Sequence, residues 1–405
     1  MKSSLLLAIA MFLPAYAAPG FCQAPIAGSP RTLIALDSLI ETKMNLGGMV
    51  GLGAAIIVDQ KVVWMKGYGY ADLENKKPFT PSTIMNIGSI GKTFTGVCMM
   101  KALEDKKLSL DQDINTYLPF KVINPYCPNE KITLRNLATH TSGITDRSAV
   151  YDSAYYYGGD HPTPLGQFLK SYFDPKGRFY SKDNFLNQKP GSYREYSNIA
   201  AGLAGYIIEQ AVGMPLNEYS KQWIFKPLKM KNTCWLLSEI NPSLHSKLYD
   251  KQTDTLKTIP LYGLATYPDG GVRTSVAELT NFFIALLSDG SFQGKRILQK
   301  TSVDTMQRFQ FTPESKPANI KLNELNSGLF WATKMDVTQI GHGGTDPGVK
   351  TEMLANLSKE VAVILFTNTS LTDENLFKYY FGIYQDLWTY GSALKAARQI
   401  APHKK

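Results

Sequence analysis

The chain has 405 residues, a formal net charge of +9 and 44% hydrophobic residues, enough to bury a sizeable core and too long for a disulfide-stapled mini-protein. Four cysteines at spacings that fit no metal site exclude a cysteine-built scaffold or metal module. The positive charge is dispersed, its densest groups being Lys106-Lys107 and Lys404-Lys405, which excludes a nucleic acid as the organising partner.

In chain order, residues 1–24 (MKSSLLLAIAMFLPAYAAPGFCQA) join one lysine to an apolar run from Leu5 to Ala18 and then to small residues suited to cleavage. That is the pattern of a secretory signal peptide, so the mature chain is expected to be exported, periplasmic or secreted. Cleavage fits after Ala17 or Ala24, the later site leaving a polar start. Phe21 before Cys22 argues against a lipid-modified cysteine. Loss of Cys22 leaves Cys98, Cys127 and Cys234, which allow at most one disulfide. No later segment approaches the roughly 20 apolar residues of a membrane helix.

Residues 31–45 place Leu33, Ile34, Leu36, Leu39 and Ile40 largely on one helical face. GLGAAIIVDQKVVWMKGYGYAD then reads as two strands around Asp59-Gln60-Lys61. A helix opens near Ser89 and runs through VCMMKALED, and AGLAGYIIEQAVG is the clearest helix of the middle region. The aromatic stretch 151–189 reads either as a lid or pocket wall or as a surface loop. SVAELTNFFIALLSDG is a helix ended by Gly290, followed by strand-like runs SGLFWATKM, VTQIGH, KTEMLANL and EVAVILFTNT and a final amphipathic helix over about 372–398. Strands at both ends with helices between them predict an α/β fold of the α+β type: an antiparallel sheet flanked by N- and C-terminal helices. Its discontinuous domain comprises 25–109 and 266–405, with a mostly helical domain, 110–265, inserted.

Residues 86–94, NIGSIGKTF, carry the chemistry. As a phosphate loop, GSIGKT lacks the first glycine, because Asn86 stands five positions before Gly91. The best late strand also runs into Thr367 and Asn368 rather than a magnesium-binding Asp. As S-x-x-K, Ser89 and Lys92 fall one turn apart at a helix start, which favours negative charge on the serine oxygen and pushes the amine toward its neutral form. The motif alone is weak, since Ser392–Lys395 repeats it in the last helix. Downstream, however, Tyr196 stands in Tyr-x-Asn and His342 in His-x-Gly, in an order that nothing after Ser392 matches.

With LRNLATHTSGI at 134–144, PGSYREYSN at 190–198, FKPLKMKNT from 225, YPDGGVRTSVAELTNF from 267 and GHGGTDPGV from 341, the chain resembles the serine β-lactamase and penicillin-binding-protein superfamily. The resemblance is to the class C-like branch that also holds D,D-carboxypeptidases, D-aminopeptidases and carboxylesterases. It implies Ser89 as acylated nucleophile, Lys92 with Tyr196 as general base, and Asn198, His342 and Gly344 as substrate-binding residues. The backbone N–H groups of Ser89 and Thr345 would form the oxyanion hole. His140 of THTSG is a tempting partner for a serine, but the family places that segment in the helical domain. Where the family usually has Lys-Thr-Gly, this chain has His342. With an ordinary pKa of roughly 6.5, it either anchors a substrate carboxylate as imidazolium or, neutral, donates a hydrogen bond to Ser89 or an ester oxygen.

The expected protein is therefore an exported serine hydrolase with no metal or cofactor, cleaving an amide or ester. Its substrate is a small molecule or short peptide, with D-amino-acid peptides of peptidoglycan first. Carboxylesterase or weak β-lactamase activity is the alternative, and a penicillin-binding sensor that acylates without turnover is the alternative of another class.

Overall fold

The computed structural model describes residues 32–252, 255–371 and 373–400, so the signal segment 1–24 and Cys22 lie outside the described residues. The run GLGAAIIV forms β1 (Gly51–Val58), buried at every position because both faces of its sheet are covered. Leu52, Ala54, Ile56 and Val58 pack into one core and Ala55 and Ile57 into another, as the two-residue period of a strand requires. Asp59 and Gln60, at φ 52° and 56°, make the tight turn into β2 (Lys61–Asp72), so Lys61 belongs to the strand rather than the turn.

The main sheet continues through β3 (Lys77–Pro78), β4 (Ala332–Lys334), β5 (Gln339–Asp346), β6 (Val349–Asn356) and β7 (Val361–Thr367). Its spatial order is β4-β5-β6-β7-β1-β2-β3, antiparallel at every pairing, with strands from 51–78 and 332–367 and the helical middle of the chain between them. This is the mixed α/β architecture with a large antiparallel sheet that the strand and helix pattern predicts. Parallel strands, which a phosphate loop would require, are absent from it among the described residues.

The helices that frame the sheet and site are α1 (Leu33–Leu46), α2 (Gly91–Glu104), α3 (Asn198–Val212), α4 (Val276–Leu287) and α5 (Glu374–Ile400). α1 and α5 cover one face, with Leu36, Ile40 and Met44 meeting Tyr380, Ile383, Tyr384 and Leu387. The buried stripe of α1 is thus Leu36-Ile40-Met44, whereas Leu33 and Ile34 are 47% and 81% exposed. The sequence places the stripe one turn too early because Leu33 and Ile34 are apolar but precede the part of the helix that lies on the sheet. On the other face α2 and α4 stack through Phe94 and Phe282, ring centroids 3.8 Å apart. α4 stops at Leu287, before Gly290.

The aromatic stretch 151–189 has more regular structure than a loop: Tyr155–Tyr157 pairs antiparallel with Tyr262–Leu264, and Leu165–Phe173 is a helix burying Leu165, Phe168, Leu169, Tyr172 and Phe173.

Candidate active site

Gly88, at φ 53°, turns the chain into a single 3-10 turn, Gly88–Ile90, that feeds α2. Ser89 sits in that turn and Lys92 in the first turn of α2, and the Lys92 ammonium donates to Ser89 Oγ at 3.0 Å. The same nitrogen donates to Asn198 Oδ1 at 2.6 Å and to the Asp269 carbonyl at 2.8 Å, although Lys92 is fully buried. Three acceptors match the three donors of an ammonium. Burial opposes that charge, but the interactions with Tyr196, Asp269 and Asp146 outweigh it and hold the Lys92 pKa above its ordinary value. This corrects the expectation that the helix start renders the amine neutral: the interactions with Tyr196 and the surrounding acids outweigh the partial charge of one helix end.

Tyr196 lies over this ammonium, its ring centroid 5.0 Å from Nζ. Two further rings flank it: His140, centroids 4.2 Å apart, and His342, centroids 6.4 Å apart. His140 is buried at φ 59°; its Nδ1 accepts from the Ser197 N–H at 3.2 Å and its carbonyl from the Glu195 N–H at 2.8 Å. Desolvation holds its pKa well below the ordinary value, so the ring is neutral and serves as an acceptor. Ser197 caps α3, its Oγ accepting from the Ala200 N–H at 2.9 Å. Asn198 is the first helical residue, which frees its amide for Lys92. Below them the Asp146 carboxylate accepts from Ser197 Oγ (2.6 Å), Asn198 N (2.7 Å) and Ile199 N (3.0 Å), an anion seated at a helix N-terminus.

The opposite wall is β5. A Cβ on Gly344 would stand 2.1 Å from the Ile87 carbonyl, so only glycine lets this strand approach the nucleophile turn. Thr351 Oγ1 donates to that carbonyl at 2.8 Å and fixes the approach. Thr345 N then lies 3.1 Å from where a Cβ on Gly88 would be, alongside the Ser89 turn. His342 Nδ1 is 2.7 Å from the Gly343 carbonyl, which can only accept, so Nδ1 carries the proton and Nε2 is left as an acceptor. Burial, with the charge of Lys92 behind it, lowers the His342 pKa to about 3. The ring is therefore neutral, and its single N–H is spent on the backbone rather than on Ser89 or a substrate.

Two carboxylates close the floor. Asp269 accepts from Tyr151 OH at 3.1 Å and Thr266 Oγ1 at 2.6 Å, and Asp346 accepts from Tyr155 OH at 2.7 Å. Burial raises their pKa values to about 7 and about 6, respectively. Tyr151 and Tyr155 thereby tie the aromatic stretch to the floor of the cleft, as a wall rather than a distant loop.

The structure gathers Ser89, Lys92, Tyr196, Asn198, His342, Gly344 and Thr345 around one cleft between α2, the start of α3 and β5. The second S-x-x-K goes elsewhere: Ser392 is exposed, and Lys395 pairs with Asp59 at 2.6 Å and Glu360 at 2.9 Å. Cys98, Cys127 and Cys234 are free thiols. Sequence reasoning missed Asp146, Asp269 and the packing role of His140. Asp269 carried a signal, since YPDGG stands among the quoted segments, but Asp146 had none, lying 52 residues before the helix it caps.

The Beta-lactamase family model matches residues 36–381. The chain is 25% identical over 340 residues to Protein flp of Staphylococcus aureus (strain MRSA252), covering 82% of this chain and 62% of that relative's length. The octameric penicillin-binding protein homologue of Pyrococcus abyssi superposes with a TM-score of 0.72 at 25% identity, covering 89% of this chain and 77% of that one. The D-amino acid amidase of Ochrobactrum anthropi SV3 has the same fold, with a TM-score of 0.69 at 21% identity over 90% of this chain and 99% of the amidase. A family match running from α1 into α5, across every strand of the sheet and the whole of the cleft, leads to one statement: the chain belongs to the Beta-lactamase family.

Proposed function

We propose that the chain is an exported serine hydrolase that forms an acyl-enzyme on Ser89 and cleaves an amide or ester, with D-amino-acid peptides of the cell wall as its first substrate class. The observation that carries this reading is the 3.0 Å contact between buried Lys92 Nζ and Ser89 Oγ, with Tyr196 over the same nitrogen. An ammonium that already donates to three acceptors has no lone pair for the serine proton, so Tyr196 oxygen takes it as Ser89 attacks the carbonyl. The substrate oxygen moves between the Ser89 and Thr345 N–H groups, where losing one donor typically costs about two to three decades in rate. Tyr196 then returns the proton to the leaving group, Asn198 and Gly344 border the substrate, and water releases the acyl group.

The neutral His342 favours a second reading, a carboxylesterase, because a ring without charge adds nothing to the binding of a carboxylate. Both readings are tested by a panel of a D-alanyl-D-alanine peptide, a matched ester and a penicillin, assayed with wild type and Ser89→Ala. Turnover of the peptide or ester that disappears in Ser89→Ala supports the hydrolase. Stoichiometric penicillin uptake with no turnover of any substrate would favour the sensor.

A further inference from the structure

A pocket of about 590 Å³ lies between the second half of α3, the start of the Leu165–Phe173 helix and the 3-10 turn Tyr267–Asp269, and none of the residues gathered around Ser89 lines it. Tyr206 and Glu209, three residues apart, share one face of α3 and line the pocket roughly 12–17 Å along the helix from Asn198. Pro164, Leu165, Pro215 and Tyr267 complete its apolar walls. Tyr206 stacks on Phe120, ring centroids 6.0 Å apart, and a Cβ on Gly166 would stand 2.6 Å from the Tyr206 ring, so only glycine leaves room for it. Glu209 supplies the acid. Its Oε1 accepts from the Leu216 N–H at 3.0 Å and from the Tyr267 hydroxyl, which anchor the carboxylate against the wall. Its Oε2 has no donor among the described residues and is open to the pocket, and no lysine or arginine among them pairs with the carboxylate. Burial raises the Glu209 pKa, as expected for an acid set into an apolar wall with no cation beside it.

An anchored carboxylate with one free oxygen, beside two aromatic rings, favours a positive charge: an ammonium donates to that oxygen and is attracted to the ring faces. An anion would be repelled, and an uncharged apolar ligand would desolvate Oε2 without giving it a donor. We propose that this pocket is a second binding site, for a small organic ammonium whose nitrogen meets Glu209 Oε2 and whose apolar body packs on Tyr206, Tyr267 and the two prolines. The volume falls within the range of roughly 300–1,000 Å³ typical of small-molecule sites. The site is independent of the chemistry at Ser89 but borders it. Tyr267 opens the turn whose Pro268 carbonyl accepts from Thr95 Oγ1 at 2.6 Å and whose Asp269 carbonyl accepts from Lys92 at 2.8 Å. α3 presses on that turn so closely that a Cβ on Gly205 would stand 2.2 Å from Pro268. The ligand therefore sits against the turn that holds Lys92.

The test is calorimetric titration of the full chain with phenethylamine and with 2-phenylethanol, its uncharged counterpart, in wild type, Glu209→Gln and Gln167→Arg. Wild type should bind the amine about tenfold or more tightly than the alcohol, and Glu209→Gln, which keeps an acceptor for Leu216 and Tyr267 but loses the charge, should abolish that preference. Gln167 is exposed on the pocket rim, so Gln167→Arg adds a competing guanidinium without touching the bonds of Glu209 and should also weaken the amine severalfold. No binding of the amine, equal binding of amine and alcohol by wild type, or an unchanged amine affinity in Glu209→Gln overturns the proposal. If Glu209→Gln does not fold, Gln167→Arg decides, and an amine affinity equal to wild type there overturns it. Hydrolysis is not read in this test, so its outcome leaves the serine-hydrolase reading to its own assay.

Discussion

At the scale of single residues, the site departs from the simplest reading of its motif in its charges. In the proposed mechanism Lys92, an ammonium with three acceptors, orients and electrostatically supports Ser89 and Tyr196 rather than removing a proton. Tyr196→Phe should lower turnover by about two decades or more, the scale of lost acid-base assistance, with the fold intact. Lys92→Ala should lose as much activity and also stability, because Asn198 Oδ1 and the Asp269 carbonyl are left without their donor; wild-type turnover in either variant would place the proton path elsewhere. For His342, a pKa of about 3 means that the ring carries no charge from pH 5 to 8. An NMR titration of its ring protons over that range should show no ionisation, and a midpoint near the ordinary histidine value of roughly 6.5 would restore the imidazolium.

At the scale of elements, the start of α3 is the joint on which the site depends. Asp146 takes hydrogen bonds from Ser197, Asn198 and Ile199, so it fixes where Asn198 and, one residue before the cap, Tyr196 stand. Asp146→Ala strips three buried donors of their acceptor and should cost about 2–5 kcal/mol, read as a lower unfolding midpoint, with a loss of turnover beyond what stability explains. Asp146→Asn should recover part of both, and full activity in the alanine variant would show that Tyr196 is held by other contacts. The helix itself was legible from AGLAGYIIEQAVG, and its end from Gly213 at φ 69°. The acid beneath it was not, because a through-space contact across 52 residues leaves no local period or spacing. The same holds for His140, whose stacking on Tyr196 exists only once α3 has docked. In α1 the apolar residues were visible while the buried face was misjudged, since only the sheet decides which part of the stripe it covers.

At the scale of the whole molecule, the two ends of the chain build one sheet and the cleft opens where its edge meets the helices, an organisation readable from strands at both termini. What was not readable is the cost of the cleft's acids. The folded-state pKa of Asp269, raised by burial to about 7, lies above the value of about 3.8 expected in the unfolded chain. Its contribution to stability is therefore fully present below pH 4 and is lost as pH rises through 7, an effect on the order of a few kcal/mol. Denaturant unfolding at pH 4 to 8 should show Asp269→Asn losing less stability than wild type over that interval; parallel curves would mean that Asp269 is solvated or otherwise compensated.

The central claim, that Ser89 is the acylated nucleophile, is tested most directly by locating a covalent label. Wild type is incubated with a fluorescent penicillin and with a fluorophosphonate, digested, and the modified peptide identified by mass, in parallel with Ser89→Ala and Ser392→Ala. The label should map to Ser89, persist in Ser392→Ala and vanish in Ser89→Ala, because only Ser89 has Lys92 and Tyr196 beside it. Labelling retained in Ser89→Ala, or mapped to any other residue, would contradict the account.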